Sequence, residues 1–228
     1  MNMVNITIDG IQTSVPASYT ILEAARAAGI KIPTLCYLKG VNEVGACRVC
    51  LVEVVGGRSL AAACVNPVTE GMVVKTNSPR VRATRKSTLE MILSDHNKEC
   101  LACIRNQNCE LQDLCELYGI RKYNFEGVKS PAKLDTKSFS LVRDSSKCVL
   151  CGRCVAACDK QGVSVLSFLN RGFDTKIGPA FDISMADAPC IYCGQCIIAC
   201  PVGALYEKEE DVKVWNAIND PKDRKSVV

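Results

Sequence analysis

The sequence predicts an α+β chain built from three modules in series, and three observations carry that prediction. The 228 residues include 16 cysteines, which fall into four separated groups of four, several times the ordinary share. The first residues alternate polar and apolar around tight turns and then switch to helical periodicity. The last two cysteine groups repeat one spacing, C-x2-C-x2-C-x3-C, so the C-terminal module is an internal duplication.

Each element follows in order. Residues 4–8 alternate as a strand, Asp9-Gly10 makes a hairpin turn, and residues 11–15 return as its partner. Thr20 and Glu23 have the spacing of a capping box, which opens a helix over residues 21–28 that Gly29 ends. Residues 50–55, the Gly56-Gly57 turn and residues 72–76 complete a small sheet. A helix is expected over residues 79–95, with Leu89, Ile92, Leu93 and His96 on its inner stripe. A shorter helix contains Glu110 to Leu117. Further on, residues 163–168 and a turn at Gly172 suggest a hairpin. The end of the chain offers an amphipathic segment, with Val212, Trp215 and Ile218 on one side, and a charged tail. Boundaries at Asn77 to Pro79 and over residues 121–137, the latter containing Gly127 and Pro131, give modules at 1–78, 79–120 and 138–207. The 121–137 segment is expected as linker and 208–228 as a terminal helix and tail.

Composition narrows the chemistry. The 48% hydrophobic figure counts the cysteines and includes only five Phe and one Trp, so burial alone gives a modest core. Residues 1–10 lack the basic start and apolar run of a secretory signal, which points to the cytoplasm. Thiols in that reducing compartment serve metal or redox chemistry rather than disulfides. Residues 188–206 carry no charge, but Pro189, Gly194, Pro201, Gly203 and four cysteines interrupt them. We expect a metal-binding loop there and no membrane span. No G-x-G-x-x-G follows a strand and no P-loop is present, so nucleotide and flavin sites are expected elsewhere. No Lys/Arg stripe suggests nucleic acid.

The two C-terminal groups, Cys148, Cys151, Cys154, Cys158 and Cys190, Cys193, Cys196, Cys200, followed by Pro201, resemble the bacterial ferredoxin run. In that run three cysteines hold one 4Fe-4S cube and the fourth ligates the other. The implied sets are Cys148, Cys151, Cys154 with Cys200, and Cys190, Cys193, Cys196 with Cys158. Zinc sites usually pair two C-x2-C units, which fits this run poorly. Val149, Leu150, Ile191, Tyr192, Ile197 and Ile198 supply apolar surroundings, and Gly152 and Gly194 lie inside the loops. One departure is Asp159 after Cys158, where the run has proline.

The first group, Cys36, Cys47, Cys50 and Cys64, has the spacing C-x10-C-x2-C-x13-C, with Gly45 ahead of Cys47. Its setting resembles a β-grasp 2Fe-2S ferredoxin domain, although the plant-type gap is x4; the longer gap is similar to the 2Fe-2S domain of complex I and of hydrogenases. The second group opens H-x3-C-x2-C-x5-C with the chain's one histidine, His96, then Cys100, Cys103 and Cys109. This resembles the histidine-ligated 4Fe-4S site of the same two families. Exchanging a thiolate for imidazole removes a negative charge, so this cube is expected to be the least reducing. Cys115 is left over and is expected to be a buried, inert thiol, with a stray ligand as the alternative.

Over nearly its whole length the chain resembles the N-terminal electron-transfer half of the FeFe-hydrogenase large subunit and the start of the iron-sulfur subunit of complex I and of NAD-linked formate dehydrogenases. The segments 170–173, 179–181 and 201–206 are most similar to the hydrogenase version. The resemblance implies one 2Fe-2S and three 4Fe-4S clusters. It also implies a relay among a flavoprotein NAD(P)H-oxidising subunit, a thioredoxin-like 2Fe-2S subunit, possible free ferredoxin and a separate catalytic hydrogenase or dehydrogenase subunit, in an arrangement open to electron bifurcation. No cysteine follows Cys200 to serve the family's hydrogen-forming domain, so no active site is expected in this chain. The alternatives are the accessory half of an FeFe hydrogenase lacking its catalytic domain and an iron-sulfur subunit of the complex I or formate dehydrogenase type. The formal charge of +4 becomes about −3 once ligating thiolates and clusters are counted.

Overall fold

The computed structural model describes residues 2–122, 125 and 127–222 and has a mixed α/β architecture. Strand β1 (Met3–Ile8) pairs antiparallel with β2 (Ile11–Pro16), placing Val4 opposite Val15 and Ile8 opposite Ile11. Period-two alternation buries Val4, Ile6 and Ile8 against the helix that follows. That helix, α1 (Ile21–Ala27), has the expected capping box: the Glu23 N–H donates to Thr20 Oγ1 at 3.3 Å and the Thr20 N–H to Glu23 Oε2 at 3.0 Å. β3 (Leu51–Val54), a short β4 (Ala61–Ala62) and β5 (Val73–Lys75) complete a five-stranded sheet of order β2-β1-β5-β3-β4, with β1 and β5 parallel. Ile21, Leu22, Val52 and Val74 fill the space between α1 and this sheet.

Helix α2 runs over Pro79–Asp95. Ser78 caps it by accepting from the Val81 N–H at 3.3 Å, and proline sits at its first turn, where no N–H is needed. The boundary expected at Asn77 to Pro79 thus ends at Ser78, and Pro79 opens the helix over the span expected for it. Arg85 is only 2% exposed and ties this helix to its neighbours. Its guanidinium donates to the Leu51 carbonyl at 3.0 and 2.6 Å and to the Tyr118 hydroxyl, just past α3 (Glu110–Leu117), at 3.0 Å.

The C-terminal half contains β6 (Leu134–Asp135), β7 (Leu141–Asp144), α4 (Arg153–Lys160), the hairpin β8 (Ser167–Leu169) and β9 (Lys176–Gly178), α5 (Gln195–Ala199), β10 (Leu205–Glu207) and α6 (Asp211–Asn219). A three-stranded sheet of order β10-β7-β6 backs the packed pair α4 and α5.

Three expectations need correction. Leu134–Asp135, assigned to the linker, is an edge strand, fixed because the buried Asp135 carboxylate accepts from Ser184 Oγ at 2.7 Å and the Met185 N–H at 2.8 Å. The hairpin begins at Ser167 rather than Val163. Ser164 has a φ of +49°, and the Val165 N–H donates to Cys158 Sγ at 3.2 Å, so this stretch wraps the cysteine instead of entering a ladder. His96 follows α2 as its C-cap, in extended conformation, rather than riding on the helix. Val212, Trp215 and Ile218 on α6 are exposed. The charged tail past residue 222 and residues 123, 124 and 126 of the linker lie outside the described residues. Among the described residues no helix is long and apolar enough to cross a membrane.

Candidate metal centres

The two C-terminal cysteine runs have one backbone shape. Leu150 and Tyr192 take φ values of +52° and +55°, and their N–H groups each donate to a cysteine Sγ two residues back, Cys148 and Cys190, at 3.4 Å. Gly152 and Gly194 follow, at φ +79° and +73°, as the left-handed caps of α4 and α5. A left-handed residue turns the chain so sharply that backbone N–H groups face the sulfurs, and glycine adopts it without a Cβ penalty. The sequence repeat is thus a repeat of local geometry.

The runs also cross. Cys148, Cys151, Cys154 and Cys200 line one apolar cavity with Val149, Leu166, Ile177 and Val202. Cys158, Cys190, Cys193 and Cys196 line another with Val163, Val165, Met185 and Tyr192. Burial pushes the thiols of Cys148 and Cys154 up and that of Cys151 to about 12, with Cys200 and Cys148 adding to the rise at Cys151. Cys196 is likewise raised to about 12 by burial and by Cys190, Cys193 and Cys158. Such thiols ionise only against a compensating positive charge. Two buried guanidiniums stand nearby: Arg143 lowers Cys148 and Arg153 lowers Cys151.

In the N-terminal module Cys36, Cys50 and Cys64 are buried and Cys47 half-buried. They form two thiol pairs. Cys50 and Cys64 approach to 3.3 Å between sulfurs, and the Cys47 N–H donates to Cys36 Sγ at 3.5 Å. Within each pair one thiol donates to the other, so Cys36 and Cys50 are held below the usual thiol range and Cys47 and Cys64 above it. Gly45 sits at φ +66°, a left-handed conformation that favours glycine, and a Cβ there would press on the Val65 methyls at 3.1 Å.

His96, Cys100, Cys109 and Cys115 line a cavity between α2 and α3. Cys103 does not line it but lies close enough, with Cys100, to raise the Cys109 thiol, whose main cause of elevation is burial. His96 is 7% exposed, and its Nδ1 has no hydrogen-bond partner among the described residues. Burial, then Lys147, pushes the imidazole down to about 4, while the ring also meets the Lys147 backbone. A neutral, buried, unpartnered ring nitrogen held by a second hydrogen bond is what a metal ligand needs. Among the described residues no three His, Cys, Asp or Glu side chains converge as tightly as a single ion requires. The cysteines arranged around each of the two apolar cavities suit a polynuclear group.

Spacing did not reveal two further side chains, Asn42 and Arg153. Both are buried and reach across modules to backbone carbonyls beside the cysteines. The x10 gap that contains Asn42 was the available signal.

Repeated cysteine loops, crossed thiol sets and an orphaned imidazole define an iron-sulfur protein with 2Fe-2S and 4Fe-4S binding domains. Three families match in chain order: a 2Fe-2S iron-sulfur cluster binding domain at residues 1–79, the NADH-ubiquinone oxidoreductase-G iron-sulfur binding region at 85–123, and a 4Fe-4S dicluster domain at 147–204. The chain is 48% identical over 227 residues to the NADP-reducing hydrogenase subunit HndD of Solidesulfovibrio fructosivorans, covering 97% of this chain and 39% of that protein. It is 40% identical over 223 residues to iron hydrogenase 1 of Clostridium pasteurianum, covering 96% and 39%. With an NADH-quinone oxidoreductase subunit of Rhizobium meliloti the identity is 39% over 206 residues, covering 89% and 24%. The chain therefore spans well under half the length of these relatives. A chain in a crystal structure of an NAD+-reducing NiFe-hydrogenase in the H2-reduced state superposes with a TM-score of 0.84 at 30% identity, covering 90% of this chain and 87% of that one. The chain belongs to the iron-sulfur family that these hydrogenases share with NADH-quinone oxidoreductase.

Proposed function

We propose that this chain is an electron relay holding one 2Fe-2S and three 4Fe-4S clusters. It would pass single electrons between an NAD(P)H-oxidising flavoprotein subunit and a separate hydrogenase or dehydrogenase subunit. The observation that carries the reading is the crossing of the two C-terminal runs, with Cys200 beside Cys148, Cys151 and Cys154, and Cys158 beside Cys190, Cys193 and Cys196. A shared fourth ligand is the arrangement of two adjacent cubes in one domain. His96, Cys100, Cys103 and Cys109 would hold the third cube, and the pairs Cys36/Cys47 and Cys50/Cys64 supply two thiolates for each iron of the 2Fe-2S group.

When bound, the clusters accept and release one electron at a time. The chain's own residues set the conditions for this. Leu150 and Tyr192 aim N–H groups at sulfur, and apolar cavity walls restrict water. Arg143 and Arg153, at 3% and 5% exposure, place buried positive charge beside the thiolates, where an anionic site offsets their desolvation.

In this reading the five-stranded sheet with α1 is a β-grasp domain over 1–78, and residues 79–120 form the histidine-ligated module. Residues 138–207 form a twin-cube ferredoxin-like domain, reached through 121–137 and followed by 208–228. A thioredoxin-like 2Fe-2S subunit, free ferredoxin, an electron-bifurcating assembly and a cytoplasmic location belong to the same proposal. Names such as NADP-reducing hydrogenase and NADH-quinone oxidoreductase among the relatives support it. Anaerobic purification with metal and sulfide analysis tests it: about 14 irons per chain with matching sulfide are expected, and copurifying subunits should carry flavin. Zinc without acid-labile sulfide would overturn it.

A further inference from the structure

We propose that the segment between Cys36 and Cys47 is a strut between two cluster sites, and that Asn42 is a positioning residue coupling the Cys36 site to the Cys151 site. The proposal rests on the ligand assignment above. The gap between these cysteines is ten residues, against four in the plant-type spacing. The added chain closes on itself: the Leu38 N–H donates to the Asn42 carbonyl at 2.9 Å, the Asn42 N–H to the Leu38 carbonyl at 2.8 Å, and the Val41 N–H to the same carbonyl at 3.0 Å. Gly40, at φ +72°, turns the tip.

This loop delivers Asn42 into the interior, where it is 4% exposed. An asparagine amide has two N–H bonds, and here each has a different destination. Nδ2 donates to the Cys36 carbonyl at 2.8 Å and to the Cys151 carbonyl at 3.0 Å. Arg153 reaches back from the other side, donating to the Tyr37 carbonyl at 3.1 Å while Glu110 holds it bidentately at 2.5 and 2.8 Å. All three modules meet at this point.

The residue type is informative. Leucine would fill the same volume and leave two buried carbonyls without donors, and aspartate would set a charge against them. Only a side chain with two divergent donors on one atom joins both. The result is a continuous path from Cys36 Sγ through its own carbonyl to the amide, then to the Cys151 carbonyl and its Sγ. It consists of covalent bonds interrupted by two hydrogen bonds, along which electronic coupling decays more slowly than across a gap. The step it serves is a one-electron exchange: the reduced 2Fe-2S group loses one electron and the oxidised cube gains it, with no bond broken and no proton moved.

The test uses the full, iron-loaded chain as wild type, Asn42→Ala and Asn42→Leu. Iron content, the EPR signal and the midpoint potential of each cluster are measured first. The rate at which an electron from pulsed one-electron reduction equilibrates between the 2Fe-2S group and the cubes is then followed. Both variants should keep iron, signals and potentials while equilibration slows several-fold. An unchanged rate with both signals intact would overturn the strut, as would loss of the clusters in both variants, which would make Asn42 a folding residue alone. A wild-type chain lacking either signal would instead overturn the ligand assignment.

Discussion

Gly203 lies against Cys103 so closely that a Cβ on it would stand 2.7 Å from the cysteine Sγ. The contact is one of several that seat the middle module on the turn after Cys200. The Glu110 N–H donates to the Pro201 carbonyl at 3.0 Å, and Arg105 donates to the Ile197 carbonyl at 3.0 Å. Gly203→Ala should therefore displace Cys103 and cost about 1–3 kcal/mol by overpacking. Iron analysis should show loss confined to the middle site, and an unaltered urea midpoint with full iron would show that the seat is looser than its geometry.

The paired glycines allow a sharper comparison. Gly152 and Gly194 share a left-handed backbone, so alanine at either should cost about 1–2 kcal/mol in strain. Only at Gly152 would the new Cβ also meet a ring, Phe168 Cζ, at 3.1 Å, whereas Gly194 faces open space. Gly152→Ala is expected to be the more destabilising in denaturant titrations; equal midpoints would mean that Phe168 moves aside freely.

These pairs show where the sequence is readable. Thr20 and Glu23 announce their helix because a capping box is a local bond pattern, and the run from Pro79 to Asp95 is fixed by its cap and its proline. The iron-sulfur binding domains are legible because cysteine spacing is local too. Asn42 is not, because its partners lie 6 and 109 residues away and nothing in its neighbourhood names the Cys151 carbonyl. Leu134–Asp135 is hidden for the same reason: a two-residue edge strand is defined by β7 and by Ser184, not by its own residues.

Asp182 provides a pH-dependent test. Burial raises its carboxyl, but Lys176, Lys133 and Arg143 outweigh that and hold it at about 2, below its ordinary 3.8. A depressed folded-state value means that the unfolded chain takes up the proton first, so the stabilisation is present above about pH 4 and fades as pH falls toward about 2. Asp182→Asn should thus destabilise the cluster-free chain at neutral pH, and the difference from wild type should shrink across that window. A difference independent of pH would assign the effect to packing around Arg143 instead.

Cys115 shares the cavity of His96, Cys100 and Cys109, yet burial, with Cys109 and Cys100 adding, pushes its thiol up to about 11. That rise does not set it apart from the proposed ligands, since Cys151 and Cys196 stand at about 12; what sets it apart is its place outside the H-x3-C-x2-C-x5-C run that ends at Cys109. Cys115→Ala is expected to retain full iron and the same EPR spectrum at the middle site, and to lose only the packing of a small apolar group. Loss of about one iron in that site would make Cys115 a ligand.

His96 is the residue whose replacement separates ligand chemistry from packing. Its Nδ1 is buried without a partner among the described residues, and its ring is neutral at physiological pH because burial holds it at about 4. In the proposed ligand set a neutral imidazole would leave the site one negative charge short of four thiolates and so make reduction easier there; histidine ligation raises the potential in the same sense in Rieske centres. His96→Cys restores the fourth thiolate at the same place on the chain. The variant should keep its iron, and a potentiometric EPR titration should find the middle cube shifted to lower potential while the Cys148 and Cys190 sites stay where they were. An unmoved potential would mean that the imidazole is not a ligand, and loss of iron would mean that the C-cap geometry at His96 cannot bring a shorter side chain into the cavity.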